Sequence, residues 1–150
     1  WYTWPIILKP IWYSISRYGD MASSISAFGN PAVWLPMVPA LVYMTVKSIR
    51  AKDGSSVPVL AGYLASFLPW IAVTRLAFIY HYFPATVFGI LAIGYVVRDV
   101  LKTEKGKKYI WVYPLTVLVL FVVFFPVISG FPTTAAYADS LELLNSWYFN

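Results

Sequence analysis

The sequence predicts an all-α, polytopic membrane fold of about four transmembrane helices, and three observations predict it. Only 11% of the 150 residues are charged, whereas 60% are hydrophobic. A soluble domain carries about 25% charged residues to keep its surface wet, so lipid must serve as part of this chain's solvent. The 19% aromatic share includes seven Trp and twelve Tyr, amphipathic rings that collect at membrane–water interfaces. The net charge of +5 is gathered in short clusters between apolar runs. That is the pattern of cytoplasmic loops, not of a nucleic-acid-binding surface. With no cysteine, disulfides, zinc–thiolate sites and cysteine nucleophiles are excluded.

Residues 1–30 are aromatic and mixed, with no run long enough to span a bilayer. They are expected to form an exoplasmic, interfacial loop held at headgroup level by Trp1, Tyr2, Trp4, Trp12 and Tyr13. Gly29-Asn30-Pro31 then reads as a helix start, because Asn caps well and Pro suits the first helical position. The first span, about 31–49, contains Pro36 and Pro39, which should kink it. Lys47 and Arg50 close it, and Lys52-Asp53-Gly54-Ser55-Ser56 makes a polar turn. Ser56 followed by Pro58 opens a second span, about 57–73, with a late proline at Pro69.

Residues 74–84 form a connector carrying Arg75 and His81. Pro84 opens the third span, about 84–101, which closes on Arg98 and Asp99; an alternative count fuses 76–97 into one helix containing Pro84. A solvated loop, Lys102 to Lys108, leads to the fourth span at 110–129, which carries no charge. Its twenty residues match what about 30 Å of hydrocarbon requires at about 1.5 Å per residue. Residues 130–150 complete the single module as an exoplasmic tail.

Lysine and arginine set the expected orientation. The loops after spans one and three hold Lys47, Arg50, Lys52, Arg98, Lys102, Lys105, Lys107 and Lys108, against Lys9, Arg17 and Arg75 on the other side. This asymmetry places the basic loops in the cytoplasm and both ends outside. Acidic residues divide evenly, with Asp53, Asp99 and Glu104 inside and Asp20, Asp139 and Glu142 outside. A first residue other than Met leads us to expect a longer product, and no signal peptide is visible.

Chemistry is sparse. No internal repeat, nucleotide-binding glycine loop, metal-ligand cluster or nucleophile elbow is present, and one His without Cys argues against a transition-metal site. The candidate polar residues on the aromatic outer face are Arg17, Asn30, Arg75, His81 and Tyr82. Arg75 stands at a helix end in an apolar stretch, where its desolvation calls for a partner. An anionic lipid phosphate is one, since guanidinium binds phosphate bidentately; a snorkelling side chain marking the interface is the other reading. His81 could relay a proton, donate to phosphate, or be an interfacial polar tip. The cap role alone explains Asn30, and Arg17 with Asp20 fits a solvated loop. Activating a hydroxyl acceptor needs a general base. Outside the membrane the chain offers Asp20, Asp139, Glu142 and His81 with no tight acidic pair, so a complete active site is not expected.

Several short motifs, in order, carry a family resemblance: Trp4-Pro5, Pro10-Ile11-Trp12-Tyr13, Gly29-Asn30-Pro31-Ala32-Val33-Trp34, then Leu68-Pro69-Trp70, Arg75 and Phe78-Ile79-Tyr80-His81-Tyr82-Phe83-Pro84-Ala85. With Phe125-Pro126-Val127, Gly130 and Trp147 they resemble the C-terminal four-transmembrane region of protein O-mannosyltransferases, over essentially the whole chain. The resemblance implies a C-type glycosyltransferase fold with catalysis on the exoplasmic face. It implies transfer of mannose from a polyprenyl- or dolichyl-phosphate carrier to Ser or Thr of a translocated protein. It implies that Arg75, His81 and Tyr82 line the carrier-phosphate site and that Asn30 shapes its rim. The family's catalytic acids lie in an N-terminal half that nothing here matches, so no catalytic residue is carried over. The implied partners are the bilayer, the lipid-linked sugar, the N-terminal half or a partner subunit, and the acceptor protein. No cofactor in this chain and no nucleic acid is implied, and the setting is a bacterial or archaeal plasma membrane or the endoplasmic reticulum. A non-enzymatic scaffold or lipid-binding subunit is the competing reading. A transporter is disfavoured because no ionisable residue falls mid-span.

Overall fold

The computed structural model describes residues 1–52 and 54–149. Asp53, assigned above to the cytoplasmic side, and the last tail residue, Asn150, lie outside the described residues. The fold is mostly helical. Helix α1 (Pro31–Ala51) begins where the Asn30 side chain accepts the Ala32 N–H at 3.0 Å. It ends at Lys52, whose left-handed φ of 54° lets its N–H reach the Ile49 carbonyl. Helix α2 (Val57–Phe67) runs on as a 3-10 turn over Leu68–Ala72. A further 3-10 turn, Ile79–Tyr82, leads directly into α3 (Phe83–Val100). A short α4 (Glu104–Tyr109), capped by Thr103, precedes α5 (Val112–Ser129). The loop read as merely solvated is therefore partly helical.

Among the described residues, three helical stretches are long and apolar enough to cross a membrane: Pro31–Ala51, Ile79–Val100 and Glu104–Ser129. The apolar stretch Val57–Ala72 is shorter. The stretch Ile79–Val100 begins ahead of Pro84, closer to the fused alternative than to a start at the proline. Pro84 sits in the first turn of α3, where its missing N–H costs nothing.

The purely α expectation is corrected within residues 1–30, where residues 11–27 form a β-hairpin. Strands β1 (Ile11–Tyr18) and β2 (Met21–Ala27) pair antiparallel, and β2 also pairs with β3 (Thr133–Thr134). The reason is local: β1 is rich in aromatic and β-branched residues. Gly19, at φ 61°, supplies the positive φ that a two-residue turn needs at its first central position. Trp4 is a second correction. It is 3% exposed and packs edge-on against Trp70 at 6.0 Å, whereas Tyr2, Trp12 and Tyr13 stay exposed.

The hairpin and the tail are sewn together. Ser24 Oγ donates to the Val127 carbonyl, Ser23 Oγ to the Gly130 carbonyl at 2.8 Å, and Gly130 N–H to the Ser24 carbonyl at 2.8 Å. Trp147 Nε1 donates to the Ile7 carbonyl at 2.7 Å and Trp12 Nε1 to that of Tyr148 at 2.7 Å. Both terminal segments thus cap the same end of the helices. At the opposite end Asp99, nearly buried, binds Lys47 and also Lys102 at 2.8 Å.

Between these ends, lipid offers no hydrophobic drive to join helices, so close packing and polar ties must do it. Ala85, Gly89 and Ala92 form a small-residue stripe on α3; a Cβ on Gly89 would come within 2.4 Å of Met37 Sδ on α1. Asn30 Nδ2 donates to the Val117 carbonyl at 2.8 Å, tying the start of α1 to the middle of α5.

Two stability predictions follow from Asn30 and Gly29. Asn30→Ala removes a cap and a cross-tie, each worth about 1 kcal/mol, and Asn30→Ser should recover the cap alone. Denaturant unfolding of the detergent-solubilised protein measures both, and equal losses would refute the division. At Gly29 a Cβ would lie 1.1 Å from Trp34 Cε3, so Gly29→Ala should destabilise by about 1–3 kcal/mol in the same measurement, with Trp34 fluorescence shifted.

Candidate functional site

The turn Ile79–Tyr82 organises the capped end. A 3-10 turn has about three residues per turn, so residues three apart share a side. Ile79 and Tyr82 accordingly point inward, at 1% and 0% exposure, while Tyr80 is exposed and His81 half-buried. Tyr82 is held from three directions: its hydroxyl meets that of Tyr63 at 2.9 Å, Trp34 stacks on it at 5.7 Å, and Phe67 packs edge-on at 5.5 Å. Tyr82 therefore lies beneath the turn.

His81 sits among aromatic rings. Its imidazole stacks on Trp70 at 4.2 Å and 28°, with Tyr80 at 4.4 Å and Trp4 at 6.4 Å. Trp70 is itself fixed by an Nε1–H bond to the Ser66 carbonyl at 3.1 Å. The His81 imidazole nitrogens make no hydrogen bond to any described residue, so they remain available. Arg75 stands in the irregular connector between Ala72 and Ile79, exposed, with no ion pair or hydrogen bond to a described residue.

Thus His81 and Tyr82 occupy one turn, and Arg75 lies on the exposed connector that leads into it. Asn30 is spent on structure at both polar ends, and its carbonyl accepts the Trp34 N–H at 2.8 Å. It touches the site only by anchoring the ring that stacks on Tyr82. Arg17 lies apart, exposed on β1 opposite Ala22.

Trp4, Trp34, Tyr63 and Trp70 are the residues that sequence reasoning did not assign to the site. Trp4 had been read as a headgroup anchor, and no periodicity links Trp70 to His81. The Trp34 indole Nε1 is buried without a partner among the described residues.

The imidazole of His81 lies against an aromatic floor, and on the adjoining connector the Arg75 guanidinium has no partner among the described residues; a cation and a hydrogen-bond donor of this kind suit an anion. Glu142 accepts the Phe149 N–H at 2.7 Å, and no group of His, Asp and Glu among the described residues could hold a metal ion.

Comparison with known proteins places this geometry in context. A polyprenol-phosphate-mannose–protein mannosyltransferase of Mycolicibacterium smegmatis is 26% identical over 162 residues, covering 97% of this chain and 31% of its own length. Its Mycobacterium tuberculosis counterpart is 28% identical over 163 residues, with 97% and 31% covered. Dolichyl-phosphate-mannose–protein mannosyltransferase 1 of Saccharomyces cerevisiae is 27% identical over 174 residues, with 99% and 21% covered. The chain thus spans less than a third of the length of these relatives. The same fold occurs in the S. cerevisiae protein O-mannosyltransferase Pmt1–Pmt2 complex bound to the sugar donor, with a TM-score of 0.81 and 21% identity over 99% of this chain and 23% of that one. The family model for the C-terminal four-transmembrane region of protein O-mannosyltransferase matches residues 1–147, and this chain belongs to that family.

Proposed function

We propose that this chain is the C-terminal membrane module of a glycosyltransferase that moves mannose from a polyprenyl- or dolichyl-phosphate carrier to Ser or Thr of exported proteins. Family membership and the names of the relatives support the reaction. The observation that carries the site is the exposed, uncommitted Arg75 on the connector that leads to His81 in its aromatic setting. When the sugar's anomeric carbon leaves the carrier, the electron pair of the breaking C–O bond stays on the lipid phosphate. The Arg75 guanidinium stabilises that growing charge, and Nε2–H or Nδ1–H of His81 donates to the same oxygens. Tyr82 serves from below, holding the turn in place through Tyr63 and Trp34.

The general base that deprotonates the acceptor hydroxyl is assigned to a part of the enzyme outside this chain, following the family resemblance, which carries no catalytic acid onto these residues. The N-terminal half of the enzyme, or a partner subunit, would supply it and complete the acceptor groove. In the membrane, the hairpin end faces the exoplasm and the lysine end the cytoplasm, with Val57–Ala72 as the fourth and shortest crossing. A short helix can span by locally thinning the bilayer or by snorkelling its flanking residues.

In the full-length protein, Arg75→Ala should lower polyprenyl-phosphate-mannose-dependent transfer to a Ser/Thr peptide by about 10²-fold, with Arg75→Lys recovering part of it and the unfolding midpoint unchanged. An unaltered kcat/KM in Arg75→Ala would leave the chain as a scaffold. For orientation, cysteines placed at Tyr2 and Lys105 should react with impermeant maleimide from opposite sides of sealed vesicles. Labelling of both from one side would reject the four-crossing topology.

A further inference from the structure

Away from the turn at 79–82, a cleft of ≈ 920 Å³ opens between α1, α3 and the α4–α5 junction. Its walls are apolar, formed by Pro36, Ala40 and Tyr43 of α1, Val96 of α3, and Tyr109 and Tyr113 across the junction. It follows α1 from Ala32 to Tyr43, about 16 Å at the helical rise, close to the roughly 15 Å depth of one leaflet's hydrocarbon. Spread over that length, its volume gives a mean cross-section of about 60 Å². A helix about 10–12 Å across needs more, whereas acyl chains fit.

One end of the cleft is basic. Lys47 Nζ lies 5.7 Å over the ring of Tyr43, a cleft residue, and Lys108 Nζ 5.4 Å over that of Tyr109, another. Lys102 joins them through Asp99, which also lies 3.4 Å from the Tyr43 hydroxyl. Asp99 offsets only one of these three lysines, so the mouth keeps a net positive charge beside the apolar channel. A buried helix would have to cover those lysines; an anionic headgroup would pair with them.

We propose that this cleft binds an anionic glycerophospholipid, with its acyl chains along α1 and its phosphate at Lys47, Lys102 and Lys108. The site is separate from the carrier-phosphate site and does not depend on mannose transfer; it requires only that the lysine end lie at a membrane surface.

Native mass spectrometry of the full-length detergent-purified protein, titrated with phosphatidylglycerol or phosphatidylcholine of identical chains, tests this. Phosphatidylglycerol should form a one-to-one adduct in preference to phosphatidylcholine, by about five-fold for each lysine in reach. Lys108→Gln should reduce that preference, and Val96→Trp, which fills the cleft, should abolish the adduct. Equal occupancy by the two lipids in the unaltered protein would overturn the proposal, as would an adduct that survives Val96→Trp. A cysteine at Thr116, an exposed residue of the cleft, that resists a lipophilic maleimide after delipidation would also overturn it, because another helix would then cover the cleft.

Discussion

The side chain of Tyr82 is where three helical segments meet, and the arrangement of the capped end depends on how it is held. Its ring lies between Trp34 of α1 and Phe67 at the end of α2, and its hydroxyl is shared with Tyr63 of α2. In a fully buried position an unpaired hydroxyl would cost about 1–3 kcal/mol, so the Tyr63–Tyr82 pair is as much an avoided penalty as a gain. Because a 3-10 turn separates neighbours by about a third of a revolution, fixing Tyr82 inward also turns the half-buried His81 to a different side, against Trp70. The candidate site is thus a consequence of core packing one residue away.

A second dependence runs through the backbone of the cap. Strand β2 accepts β3 on one side and β1 on the other, while Ser23 and Ser24 reach the end of α5. These bonds satisfy groups that would otherwise face an apolar surround, where each orphan is expensive. They also bring Trp147 over the Ile7 carbonyl, so the tail closes on the segment that carries Trp4 to His81. Residues more than a hundred positions apart in the chain therefore share responsibility for one imidazole.

Much of this was legible, and the rest was hidden for physical reasons. Asn30-Pro31 marked the start of α1 correctly because capping is a local matter. The family resemblance in the motifs agreed with the match over residues 1–147. The hairpin was missed although Gly19-Asp20 is a turn signal. Strand β1 is largely exposed on both faces, so it never shows the alternation that a half-buried strand prints on its sequence. Trp4 was misassigned because a Trp at an interface and a Trp under a hairpin look the same in composition. The contact of Trp70 with His81 is tertiary, made across an irregular connector, and no spacing rule encodes it.

The two ends of the bundle divide electrostatic labour in a way that follows from desolvation. At the lysine end, Asp99 is nearly buried but carries two lysines, so its charge is compensated inside the chain. At the hairpin end, Arg75 has no such partner among the described residues, and the Glu142 carboxylate is bound to the Phe149 N–H. A cation left unpaired next to apolar surface is unfavourable unless water or an anion from outside completes it. An anion tethered to a long apolar chain suits that position, since the same bilayer that disfavours a bare guanidinium delivers the lipid phosphate to it. A free, fully solvated phosphate would gain much less there, because the interfacial placement that presents the lipid costs it its hydration. On the proposed function, an anion carried by the membrane completes the charge that Arg75 leaves unpaired among the described residues.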